Sequence, residues 1–225
     1  MWRKTAMKAI ISLTALVLGA SLSSMAMAQG KETTEAPADT GAEAAETADA
    51  PAAEEGAAAA ETSDEPVELA EGETTLPNGM DITPSEMMDG RWYNEEGIPT
   101  FKIEEDGTVD YATFSGFRRY HAECHVCHGP DGEGSTYAPA LKNSVLRMDY
   151  YDFQEIAASG KQEVSNSANQ VMPAFGTNKN VWCYIDDIYV YLLARGTDSI
   201  PRGRPAKKAE KSDEFLAQED SCMSM

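Results

Sequence analysis

In the stretch Cys124-His125-Val126-Cys127-His128, two cysteines are separated by two residues and a histidine follows the second at once. That spacing reads as an attachment site for a c-type haem. The two thiols can add to the two vinyl groups of one porphyrin, and a histidine fixed beside the second thioether reaches the iron. Thioredoxin-like redox pairs and zinc sites use Cys-x-x-Cys as well. The first would want a strand-then-helix setting, and the second another ligand pair at similar spacing. Only four cysteines are present, and Cys183 and Cys222 lie far apart. The motif occurs once and no internal repeat accompanies it, so one covalent haem c is expected.

The N-terminus fits an exported chain. Arg3, Lys4 and Lys8 give a basic start, and Ala9 to Ala20 is apolar apart from Ser12 and Thr14. Ala26-Met27-Ala28 then offers small residues where a signal peptidase inspects the chain, which predicts a signal peptide over residues 1–28. An uncleaved anchor is the rival, but Ser21, Ser23 and Ser24 weaken the span of about 20 apolar residues that it needs. After cleavage no membrane span is expected. Export matters chemically, because haem is attached to c-type cytochromes outside the cytoplasm and disulfides persist there. A bacterial periplasm is the natural setting.

Charge then divides the chain. The whole sequence carries a net charge of −20, and between Lys31 and Thr75 fourteen acidic residues face one lysine, with no aromatic residue. Such a stretch cannot bury enough apolar surface to offset its ordering entropy, so residues 29–76 read as a disordered acidic segment, a spacer or simply a solvated tail. This balance argues against nucleic-acid binding and against adhesion to anionic lipid. Residues 77–200 hold five of the six phenylalanines and two of the three tryptophans, enough chain for one core around one haem. Residues 201–225 read as a mixed-charge tail that ends near Cys222.

Local patterns sketch the folded part. Residues 92–111 read as a short hairpin, with turns at Asn94-Glu95-Glu96-Gly97 and at Asp106-Gly107 between alternating runs. Ser115 can cap a helix from Gly116, on which Gly116, Tyr120 and Cys124 share one face, either as ordinary core or as a close contact with another helix. A second helix is predicted from Asp149 to Ser159, closed by Gly160. A third runs from Val181 to Arg195, opened by Thr177 or Asn180 and ended by Gly196. On it Tyr184, Ile188, Tyr191 and Leu192 follow the three-to-four spacing of an inward face.

Iron held by one histidine has a second side. Met172 in Val171-Met172-Pro173-Ala174-Phe175-Gly176 is the best candidate for it, because Pro173 pushes the methionine toward extended geometry and apolar neighbours would keep water out. A thioether is a soft, neutral donor that favours ferrous iron. Met148 precedes a predicted helix and is the weaker choice. His121 and His125 fall within one helical turn of the attachment site, on the same side of the haem as His128. The other ring nitrogen of His128 needs an acceptor, and a returning loop could present the carbonyl of Pro139. Cys183 and Cys222 form an even remainder, which in an oxidising compartment is expected to pair as a disulfide.

These residues together resemble the class I cytochromes c. Gly116, Tyr120, Cys124, Cys127 and His128 match the family's first helix and haem motif. Pro139 and Leu141 match its histidine-supporting loop, Met172 its distal ligand, and Tyr191-Leu192 the aromatic position of its last helix. More narrowly, the chain is similar to the four-cysteine, methanol-metabolism-related cytochromes c of methylotrophic bacteria. Phe117 to Glu123, Gly129-Pro130-Asp131-Gly132, Tyr137 to Leu141, Cys183-Tyr184 and Gly203-Arg204-Pro205 carry that likeness. The resemblance implies a mainly α fold, a small helical bundle around one covalent haem, here extended by the N-terminal β-hairpin. It also implies a periplasmic one-electron carrier rather than an enzyme. Its donor would be a quinoprotein alcohol dehydrogenase of the methanol dehydrogenase kind, and its acceptor another cytochrome c or an oxidase. Two other functions compete: a haem subunit inside a larger dehydrogenase, and an enzyme or sensor in which Met172 is only packing and the iron is open.

Overall fold

A computed structural model describes residues 69–70, 72–164 and 169–225. The expected signal peptide, and the acidic segment except for its last few residues, lie outside the described residues. Among those described, no helix is long and apolar enough to cross a membrane.

The chain opens with three short strands, β1 (Glu86–Met88), β2 (Arg91–Tyr93) and β3 (Pro99–Thr100), in an antiparallel sheet of that order. Trp92 and Tyr93 pair with Thr100 and Pro99 across the Asn94–Gly97 turn, and Met87 pairs with Trp92 on the other side. The strand β1 lies outside the predicted hairpin. The second half of that hairpin is reduced to one bridge, Ile103 to Val109, because Val109 also bridges Lys208 and Tyr111 already belongs to a helix.

Helix α1 (Tyr111–Glu123) begins five residues before the predicted start. Asp110 is the true cap: its carboxylate accepts from the Thr113 N–H at 2.8 Å and from the Thr113 hydroxyl at 2.8 Å. Ser115 and Gly116 are therefore buried inside the helix rather than at its end. Next come α2 (His125–His128), a 3₁₀ turn (Pro130–Gly132) and α3 (Leu141–Ser144). Helix α4 (Tyr150–Ser159) is capped by Asp149 and closed by Gly160 at positive φ, as the sequence predicts. A ribbon of β4 (Lys161–Val164) and β5 (Asn169–Met172) follows. The segment predicted as a loop around Met172 thus starts as a strand.

The predicted third helix is two: α5 (Lys179–Trp182), capped by Asn178, and α6 (Ile185–Gly196). The break falls at Cys183-Tyr184, where Tyr184 leaves helical geometry with φ −130°. Tertiary partners there outweigh helix continuation. Cys183 is bonded to Cys222, with Cα atoms 5.7 Å apart. The Tyr184 ring carries the Arg119 guanidinium 3.5 Å from its centroid, and its hydroxyl donates to Glu219 at 2.6 Å. The disulfide expected from the cysteine remainder is present. Arg119 is thus stacked and partly buried, whereas its neighbour Arg118 is exposed.

The expected C-terminal tail is also structured. Helix α7 (Asp213–Ser224) follows Ser212, whose hydroxyl caps it, and Phe215 is completely buried. Phe215 lies under the Arg91 guanidinium, 4.2 Å from ring centroid to cation. Arg91 in turn holds Asp187 of α6 through a 2.7 Å ion pair shielded from water. A single buried apolar residue in a charged stretch was too weak a pattern to announce this helix.

Helix α6 is the centre of the molecule. Tyr184 and the predicted inward set Ile188, Tyr191 and Leu192 are buried, but so are Tyr189, Val190, Leu193 and Ala194. A helix buried all round needs neighbours on every side, and α1, α3, α4 and β3 supply them. The crossing with α1 is the tightest. A methyl group placed on Gly116 would lie 1.8 Å from the Asp187 carbonyl oxygen and 2.8 Å from Tyr191 Cβ. Backbone cannot retreat from such a contact without moving its helix. Gly116→Ala is therefore expected to cost about 1–3 kcal/mol or more, read as a lower urea midpoint of unfolding. An unchanged midpoint would mean that the two helices are not locked here.

Candidate haem-binding site

The crossing of α1 and α6 aims the C-terminal end of α1 at the cysteine pair. Cys124 ends α1 and starts α2, and its carbonyl accepts from the N–H of His128 at 3.0 Å. Cys124 is partly buried against the core and Cys127 is exposed; both are free thiols. Burial, helped by the charges of Glu123 and Cys127, pushes the Cys124 thiol up to about 12. A neutral thiol is poorly prepared to be the thiolate that a zinc site requires.

His128 is buried, and its Nδ1 lies 3.0 Å from the carbonyl oxygen of Pro139. A carbonyl can only accept, so Nδ1 carries the hydrogen and Nε2 keeps its lone pair. Burial holds the ring below the usual histidine value, with the Pro139 carbonyl pulling the other way. The imidazole is thus neutral, oriented and ready to bind iron through Nε2.

The loop after His128 is folded back on the motif by polar contacts. Gly129 takes a positive φ of 73°, and a side chain there would strike the Gly134 carbonyl. The N–H of Gly134 donates to the His128 carbonyl at 2.8 Å, and the Ser135 hydroxyl donates to that of Cys127. The Tyr120 hydroxyl, fully buried, donates to the Gly129 carbonyl at 2.6 Å and accepts from the Gly132 N–H at 3.0 Å. Asp131, buried and at φ 58°, receives the Tyr191 hydroxyl at 3.2 Å, the Gly203 N–H at 3.0 Å and the Arg202 guanidinium at 3.4 Å. Burial opposes the charge, yet these donors outweigh it and hold the Asp131 carboxyl below the usual carboxylate range.

Met172 stands at the end of β5, ladder-paired with Lys161 and partly buried. The loop behind it is pinned to the end of α4, where the N–H groups of Phe175 and Gly176 donate to the carbonyls of Ala157 and Ala158. Val171, Pro173 and Ala174 are exposed, so the apolar flanks do not themselves wall off the methionine as expected. No hydrogen bond among the described residues links Met172 to the His128 loop. Cys124, Cys127, His128 and Pro139 are brought together; Cys183 and Cys222 pair where α5 and α6 meet α7.

No protein-family model matches the chain. It is 75% identical to cytochrome c-553I of Paracoccus denitrificans over 158 residues, which cover 70% of each protein. To cytochrome c-555 of Methylococcus capsulatus (strain ATCC 33009 / NCIMB 11132 / Bath) it is 37% identical over 100 residues, 44% of this chain and 75% of that one. The crystal structure of the c-type cytochrome XoxG from Methylobacterium extorquens AM1 superposes with a TM-score of 0.57 at 50% identity. That match covers 66% of this chain and 96% of the other.

The chain belongs to the class I c-type cytochromes. This cytochrome accordingly binds haem c covalently and is an electron carrier. Its residues fit the group: two unpaired thiols at the right spacing, and a neutral histidine whose orienting nitrogen is already occupied. What sequence reasoning missed is the scaffold behind them. Tyr120 was legible as a face-sharing aromatic, but nothing in the sequence says that its hydroxyl closes the haem-motif loop. Asp131 entered only through the likeness of Gly129-Pro130-Asp131-Gly132 to relatives. Tyr120→Phe leaves a buried carbonyl and a buried N–H unpaired, and should lower stability by about 1–3 kcal/mol. Urea unfolding of the haem-loaded protein checks this, and a wild-type midpoint would show that the hydroxyl is dispensable.

Proposed function

We propose that this cytochrome is a periplasmic one-electron shuttle. It accepts electrons from a quinoprotein methanol dehydrogenase and passes them to another cytochrome c or a terminal oxidase. The observation that carries the reading is the 3.0 Å contact between His128 Nδ1 and the Pro139 carbonyl beside two free thiols. It gives a rigid, neutral nitrogen donor at a fixed distance in sequence from two covalent anchors. Haem c, when bound, supplies a single one-electron couple at iron and needs no substrate pocket in the protein.

Every other contribution comes from the chain. Cys124 and Cys127 hold the porphyrin covalently, so the carrier can leave one partner and reach the next without losing its cofactor. Pro139, Tyr120 and Asp131 keep the loop around His128 in one geometry, which limits the rearrangement that a change of iron charge would otherwise provoke. Met172 would be the second protein ligand to the iron. The Phe175 and Gly176 hydrogen bonds to α4 anchor the chain just beyond it, and a thioether there favours the reduced state. If His128 and Met172 both hold the iron, carbon monoxide should not react with the reduced wild type. Met172→Ala should bind it rapidly, and its reduction potential should fall. Carbon monoxide binding by the reduced wild type would remove Met172 from the iron and revive the open-site reading.

The donor assignment is supported by the similarity to the methanol-metabolism-related cytochromes, and the periplasm by the N-terminal export pattern. Charge adds a physical handle. Residues 77–200 hold nineteen acidic and nine basic side chains, a net −10. A basic surface on the dehydrogenase would steer such a partner during approach, and salt would screen the attraction. Stopped-flow reduction of this cytochrome by a methanol dehydrogenase in the presence of methanol should therefore slow as ionic strength rises. A rate unaffected by salt removes the steering, and no reduction at all removes the donor.

A further inference from the structure

His121 takes part in neither the haem attachment nor the iron ligation proposed above. It lies on α1, one turn before Cys124, with its side chain about a quarter exposed. Its Nδ1 is 2.8 Å from the Phe117 carbonyl oxygen. As at His128, a carbonyl can only accept, so Nδ1 carries a hydrogen. The remaining nitrogen, Nε2, faces Asp131 Oδ1 at 3.5 Å. With neutral His121, a nitrogen lone pair would point at a carboxylate oxygen. With a proton on Nε2, the same geometry is an ion pair. Nε2 thus faces a carboxylate acceptor, and partial exposure gives water access to it.

Its other neighbours are specific. The rings of Phe117, Tyr120, Tyr191 and His125 pack around it, with His125 nearly parallel at 5.7 Å. The charged and titratable groups that face it are Asp131 from the 3₁₀ turn, His125 from α2, and the phenols of Tyr120 and Tyr191. Arg202 stands behind Asp131 and reaches Glu133 at 3.9 Å. Asp131 is three residues beyond His128, and Tyr120 and Gly203 hold the same loop. Asp131 and the histidine proposed to bind iron thus belong to one tied loop, which His121 meets from α1.

We propose that His121 and Asp131 form a proton-binding site coupled to reduction, so that this cytochrome takes up a proton when it accepts an electron. The inference rests on the reading above, that iron sits on His128. One electron arrives from the donor, one proton arrives from water at Nε2, and the only bond formed in the protein is Nε2–H. The added negative charge strengthens proton binding at a nearby site by Coulomb attraction, while the tyrosine rings and Asp131 hold the imidazolium in place. Reoxidation releases the same proton. As pH rises through this site the stabilising proton is lost from the reduced state, so the reduction potential falls over that window and is flat beyond it.

The test uses the haem-loaded wild type. Proton NMR titration of the His121 ring in fully oxidised and fully reduced protein should give a midpoint shifted to higher pH in the reduced state, a severalfold gain in proton affinity. Potentiometry across pH should show the fall over the same interval. His121→Gln should flatten that part of the curve, and Asp131→Asn should move it to lower pH. Identical NMR midpoints in the two oxidation states overturn the proposal without any variant, as does a potential-against-pH curve unchanged in His121→Gln. If no reversible one-electron couple is seen at any pH, the electron-carrier reading itself fails, and the proton site with it.

Discussion

The contact between Gly116 of α1 and the backbone of α6 at Asp187 governs the rest of the structure. Helices approach this closely only where one of them has no side chain, and the approach fixes both their angle and their sliding position. Because α1 runs straight into Cys124, that crossing decides where the first thiol sits and how α2 departs from it. Because Asp187 is also the partner of Arg91, it decides where the N-terminal sheet attaches. A buried ion pair adds little net stability, but removing either member leaves an uncompensated charge in the core. The pair works as a registration device, admitting one arrangement of β2, α6 and, through Phe215, α7.

Around the haem motif the same economy is made with polar atoms. The loop from Gly129 to Ser135 has too few apolar side chains to hold itself by burial. Its backbone groups are satisfied instead by Tyr120, by Ser135 and by one another. Asp131 adds a carboxylate to which α6 and the C-terminal segment both donate. The bonds within the motif and to Tyr120 are local in sequence, whereas those to Asp131 reach across the chain, spanning 72 residues between Asp131 and Gly203. A loop tied this way resists displacement when the charge at a neighbouring centre changes, which is what a carrier of single electrons requires of its surroundings.

The chemistry was far more legible in the sequence than the supports. Cys124, Cys127 and His128 stand out because covalent haem attachment would impose such a spacing, and the structure brings them together. Pro139 followed from the need of a buried imidazole for an acceptor, and its carbonyl lies 3.0 Å from His128 Nδ1. The α4 boundaries were readable from Asp149 and Gly160, local signals that tertiary contacts do not contest. Elsewhere tertiary contacts won. Asp110 took the cap from Ser115 because its carboxylate also receives the Lys102 N–H, a partner that no local window includes. Cys183-Tyr184 interrupted a good helical pattern because the disulfide, Arg119 and Glu219 all converge there. The strand before Met172 was invisible because β4 is exposed along its whole length, so its sequence carries no alternation to read.

The C-terminal residues show how composition misleads about integration. Residues 201–225 are rich in charge and poor in apolar side chains, the usual marks of a solvated tail, yet they touch every functional layer of the molecule. Gly203 and Arg202 bind Asp131 beside the haem-motif loop. Lys207 and Ala209 exchange backbone hydrogen bonds with Val109 at the foot of α1. Lys208 and Arg204 lie over the rings of Tyr111 and Phe114, and Cys222 closes the circuit to α5 and α6. Long cationic side chains can cover aromatic surface while keeping their charge in water. A stretch that reads as polar thereby completes a core it does not enter. It follows that the charge of this segment is structural before it is electrostatic. Its basic residues are engaged with rings and carboxylates of the same domain, so the acidic remainder of the surface is left to set how the carrier meets its partners.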